Sequence, residues 1–116
     1  MSTSRPASET IAAEVGSWPG ITVDRGEIGE VAFKLGRREL GHVHGDFAAH
    51  FSFPKQQWHE LAGQGRIGHH PVFPDKIGPA QRVIHDDNDV ADVIALFRMV
   101  YERVLARRST TPDRAA

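Results

Sequence analysis

The sequence predicts an α+β domain: a three- to four-stranded antiparallel sheet with an N-terminal helix, a short middle helix and a long C-terminal helix packed on it. Three observations carry that expectation. Residues 31 to 53 alternate apolar and polar side chains between turn residues, the period of half-buried strands. Val90, Val93, Ile94, Phe97, Val100, Tyr101, Val104 and Leu105 form one stripe of a single long helix. No linker or internal repeat divides the 116 residues, a length close to the commonest for one domain.

Residues 1–6 are expected to be a frayed tail, and residues 7–108 a single domain. Ala7 to Gly16 reads as a helix, since Ile11, Val15 and Trp18 recur at one-face spacing and Gly16 can close it. Trp18-Pro19-Gly20 makes a turn. Val31, Phe33 and Leu35 alternate with Ala32 and Lys34 in the first strand. Glu39 to His44 is the second, and Phe47 to Phe53 the third, where Phe47, Ala49, Phe51 and Phe53 alternate.

Two-residue turns at Arg37-Arg38 and Gly45-Asp46 set the register. They pair Leu35 with Leu40, Phe33 with His42 and Val31 with His44, then His44 with Phe47, His42 with Ala49 and Leu40 with Phe51. His42 and His44 then belong to the apolar face, and His50 to the opposite face with Lys34, Glu39 and Ser52. A slip of one residue reverses the assignment.

Pro54 opens a short helix over Lys55 to Ala62, with Trp58, Leu61 and Ala62 inward. Gly63, Gly65, Gly68, Gly78, Pro71, Pro74 and Pro79 mark 63–79 as a loop, or two loops around a short strand, long enough to imply a function. Gln81 to His85 is a fourth strand. Asp86 to Asp89 caps the last helix, Asp89 to about Arg107, whose acidic start and Arg103, Arg107 and Arg108 near its end suit the helix dipole. A polar tail over 109–116 is expected to be disordered.

Several function classes fall away on composition. Lys+Arg 14 against Asp+Glu 15 gives a net charge of −1, which excludes nucleic-acid or membrane binding by bulk charge. No apolar run approaches bilayer length, and Met1 to Pro6 does not begin a secretory signal. Without cysteine there is no disulfide, thiolate zinc site or Cys nucleophile. The expectation is a soluble, cytoplasmic domain, a monomer or weak homodimer. Gly63, Gly65 and Gly68 spell G-x-G-x-x-G after a helix, the wrong context for a dinucleotide. Ser52 lies near His50 but has no third group to orient a nucleophile.

Histidine is the conspicuous residue. Of the 7 in the chain, His42, His44, His50, His59, His69 and His70 fall between residues 42 and 70. His42 and His44, at i and i+2 on a strand, project from one face with Cβ atoms about 7 Å apart, so both rings can converge on one ion. Gly41 and Gly45 leave room, and Asp46 is placed to orient a ring. A third ligand would come from His69 or His70. These adjacent residues point opposite ways in an extended segment, so one of them faces any pocket. The ordinary alternative is a pair of partly buried, hydrogen-bonded rings.

The ligand-binding candidates are therefore His42, His44, Asp46, His69 and His70, and the metal candidates His42, His44 and His70. His59 and His85 read as surface residues, and His50 as a solvated or rim residue. The leading expectation is a small-molecule or peptide site lined by histidine. A His-ligated divalent-metal enzyme is the first alternative. A nucleic-acid or protein module using Arg37, Arg38, Arg66 and the C-terminal arginines is the second. The sequence names no reaction and leaves open whether the chain is an enzyme.

Trp18-Pro19-Gly20-Ile21, the run from Phe33 to Asp46, Phe53-Pro54, Gly65, His69 or His70, and Pro74 resemble the luciferase-domain family. The likeness covers roughly residues 17 to 105, and R-R-E-L-G-H-V-H-G-D is its most specific part. It implies a small domain of largely unassigned role. Gly78-Pro79 stands where the family has a Gly-Trp pair. The family's label carries no light-emitting activity to this chain, whose residues form no recognisable luciferin or flavin site. The order of elements is also similar, at the level of fold alone, to the MmcQ/YjbR double-wing domains.

Overall fold

A computed structural model describes residues 6–110. Its elements are α1 (Ala7–Gly16), β1 (Ile21–Arg25), β2 (Glu30–Leu35), β3 (Arg38–His44), β4 (Ala48–Ser52), α2 (Lys55–Gly63), β5 (Gly68–His69), β6 (Pro79–Val83) and α3 (Asp87–Thr110). The α+β class and the three helices agree with the sequence. The sheet is larger, with six strands in the order β1-β2-β3-β4-β6-β5, all antiparallel neighbours. The unexpected strand is β1, where apolar alternation lasts only from Ile21 to Val23 before Asp24 and Arg25. The two residues of β5 are the short strand inside the 63–79 loop. The expected tails lie largely outside the described residues, except that Pro6 precedes α1 and the helix α3 continues to Thr110.

One face of the sheet is roofed by helices. Phe33, Val43, Phe51 and Ala49 point into it and meet Ile11 and Val15 of α1 and Val93, Leu96 and Phe97 of α3, all nearly or fully buried. The Phe97 ring packs 5.2 Å from Phe33 and 4.9 Å from Phe51. The start of α3 is held by ion pairs, Arg82 to Asp89 at 2.6 Å and Arg66 to Asp92 at 2.6 Å, with Arg82 also bonded to Asp92. Asp86 Oδ1 accepts from the Asp89 N–H, the expected cap.

The register corrects the sequence reading. The β2–β3 turn is Gly36-Arg37, because Gly36 takes the left-handed conformation (φ +64) that tight turns require. Leu35 pairs with Arg38, and a bulge at Leu40 follows, so Phe33 faces Gly41, Ala32 faces His42 and Val31 faces Val43. The second turn has three residues, Gly45-Asp46-Phe47, with Gly45 at φ +54. His44 therefore pairs with Ala48, Val43 with Ala49, and His42 with His50. Each hairpin is one residue away from the expected pairing, so β3 turns over relative to both neighbours. Val43 enters the core, and His42 and His44 leave it for the face that already carried His50. A Cβ on Gly41 would lie 2.3 Å from the backbone oxygen of His50, so the close approach of β3 and β4 needs glycine there.

Candidate metal centre

The face away from the helices carries a lateral row, Ala32, His42, His50 and Gln81, on four adjacent strands. His44 stands one pleat along from His42. Ring centroids of His42, His44 and His50 are 4.7 to 5.3 Å apart, and one nitrogen from each ring lies within 4.8 Å of the others.

Hydrogen bonds define which nitrogens face inward. His42 Nδ1 lies 2.8 Å from Glu39 Oε2, a carboxylate that can only accept, so this nitrogen donates. His50 Nε2 donates to Gln81 Oε1 at 2.8 Å. In the neutral rings the remaining nitrogens, His42 Nε2 and His50 Nδ1, then both present lone pairs, and they face each other at 3.4 Å. Two ligands each about 2.1 Å from a tetrahedral ion are themselves about 3.4 Å apart. Acceptors behind ligating imidazoles are the usual means of fixing such tautomers.

A shared proton is the competing occupant of that gap. Burial, opposed in part by the Gln81 bond and reinforced by His70, His44 and His42, holds His50 below the ordinary histidine value of 6.5. Burial, with His42 and His44 nearby, lowers His70 as well. The neutral forms, which can ligate a metal, are favoured.

The sequence candidates separate clearly. His42 and His44 are in the cluster. The His70 ring lies 4.1 Å from that of His50, but its Nδ1 accepts the Val72 N–H at 3.1 Å, which leaves the proton on Nε2 and makes His70 a donor beside the cluster. His69 pairs with Ala80 and turns to the helix side, 4.8 Å from the Trp58 ring. Asp46 accepts the Ser8 N–H at 2.9 Å and orients neither ring. His50, read from sequence as a rim residue, is 8% exposed and central, because β3 lies over it in the opposite register. The signal that finds it is the three-residue turn, which sets 42 opposite 50. Glu39 and Gln81 had no sequence signal of their own. Arg66, counted toward a basic rim, is committed to Asp92.

Fold and site together define a small α+β domain with a three-histidine cluster on the helix-free face of its sheet. Residues 37–100, more than half of the chain and all of the cluster, match the Luciferase domain family, and the chain belongs to that family. No curated protein and no solved structure matches the chain. Among the described residues, no helix is long and apolar enough to cross a membrane.

Proposed function

We propose that the domain binds a small molecule at a divalent transition-metal ion held by His42 Nε2, His50 Nδ1 and one nitrogen of His44. The observation that carries this reading is the 3.4 Å separation of two lone pairs whose rings are locked from behind by Glu39 and Gln81. Imidazole ligands suit zinc, iron, nickel and copper. Three protein ligands leave a position for water or an oxygen of the bound molecule, which the ion would polarise as a Lewis acid. His70, with its Nε2–H, supplies a hydrogen bond to that molecule from the loop. The leading sequence expectation, a histidine-lined ligand site, and its metal alternative thus merge, with His50 in place of His70 as the third ligand.

The test is a titration of tag-free chain with Zn²⁺, Fe²⁺, Ni²⁺ and Mn²⁺, followed through histidine ring signals by NMR. His42, His44 and His50 should respond together at about one equivalent while His59 and His69 stay silent. If no metal moves the three rings, the proposal fails.

A further inference from the structure

Beyond the pair Gly41–Phe51, strands β3 and β4 part. The bulge at Leu40 commits Arg38 and Glu39 to β2, while Ser52 pairs with Pro79 of β6. Beside this gap lies an open cavity of about 250 Å³. His42, His50, His70 and Phe73 wall it on the metal side, and Val100 and Arg103 of α3 on the helix side.

Arg103 is the unusual member. Its Nη2 donates to the Ser52 carbonyl at 3.2 Å, but its Nη1 is buried without a partner. Among the described residues no carboxylate pairs with it, whereas Arg66 and Arg82 are each matched by Asp89 or Asp92. Burial, with Arg38 and Arg107 close by, disfavours its charge further. A buried guanidinium donor left open is rare in a native protein and calls for an explanation, of which a missing ligand is one. The group that fits is an oxygen anion, which guanidinium recognises in preference to a neutral acceptor.

We infer that this cavity takes a small organic acid, with its carboxylate on Arg103 and its remaining body against Phe73, toward the histidines. The inference rests on the proposed metal centre for the ligand's second anchor, while the carboxylate anchor stands on Arg103 alone. The size agrees, since the cavity falls below the roughly 300–1,000 Å³ of sites for larger ligands. A nucleic-acid backbone is disfavoured because the open N–H is buried, not on a surface.

The experiment follows ¹H–¹⁵N signals of the metal-free and the Zn²⁺-treated chain during titration with acetate, propionate and benzoate, and with the three corresponding amides, at constant ionic strength. The acids should give saturable shifts at Arg103 Nε–H, Ser52 and Phe73, at least tenfold tighter than the amides. Arg103→Gln should weaken acid binding at least tenfold and leave the histidine response to zinc unchanged. If that variant fails to fold, Arg103→Lys and the acid–amide contrast in the unaltered chain decide. Equal responses to acids and amides, or unchanged acid binding in a folded Arg103→Gln, overturn the inference. So does zinc binding with no response to any acid. Saturable acid binding without any histidine response to zinc supports the Arg103 site and rejects the metal centre. Binding of a 12-base-pair DNA duplex with no response to acids overturns it in favour of a macromolecular partner.

Discussion

Two faces of one sheet carry aromatic clusters of nearly equal spacing and opposite chemistry. On the helix side, Phe97 sits 4.9 and 5.2 Å from Phe51 and Phe33. On the other, the rings of His42, His44, His50 and His70 make contacts of 4.1 to 5.3 Å. The phenylalanines bury area with nothing polar to satisfy, which is how a core gains stability. The histidines turn the lone pairs of His42 Nε2 and His50 Nδ1 toward each other, and crowd groups that repel once protonated. Packing alone does not account for that second cluster, which is the physical ground for treating it as a site.

The comparison can be broken at four points. Phe97→Ala removes the largest shared element of the core and should cost about 3–5 kcal/mol, read by chemical denaturation. A loss under 1 kcal/mol would mean that α3 does not cover the sheet as described. Gly41→Ala touches both faces, since its Cβ would meet the His50 backbone at 2.3 Å and Phe97 at 2.9 Å. We expect about 1–3 kcal/mol lost, together with displaced His50 ring signals. Stability falling with His50 unmoved would show the faces to be independent there.

Glu39→Gln leaves the core alone and weakens the lock behind His42. Metal affinity should fall about 10–100-fold with the unfolding curve nearly unchanged, measured by calorimetric titration. The smallest effect is on the pH profile of stability. His50 has a folded value below 6.5, so its contribution is present above that pH and is lost as pH falls through the depressed value. Asp89, bonded by Arg82, is held below 3.8; for Asp92, burial pushes upward but Arg66 and Arg82 outweigh it. Their contribution persists to about pH 3.8 and is lost below it. Denaturation from pH 8 to 2 should thus show two losses, the histidine face first. One acid transition with histidine shifts already complete above pH 6.5 would contradict the buried placement of His50.

Much of the helix side was legible from the chain. The stripe on α3, the cap at Asp86 and the bounds of α1 at Ala7 and Gly16 are local signals, each decided within a few residues. The histidine side was half legible. His42 and His44 share a face in any strand, so their partnership needed no register. His50, Glu39 and Gln81 depend on which residues oppose one another across strands, and the unforeseen bulge at Leu40 and third residue of the second turn each shift the pairing by one and turn β3 over. Asp46 was assigned by proximity in sequence, whereas the turn geometry aims it at Ser8.

What the sequence by itself determined is therefore the element order, the apolar stripes and the presence of a histidine pair on β3, because these follow from spacing along one chain segment. What only the tertiary structure decided is the third histidine, the tautomers set by Glu39 and Gln81, and the meeting of Arg103 with the same cavity. Those depend on a bulge at Leu40 and on two glycine turns, whose positive backbone angles select one register among several that the apolar pattern alone would allow.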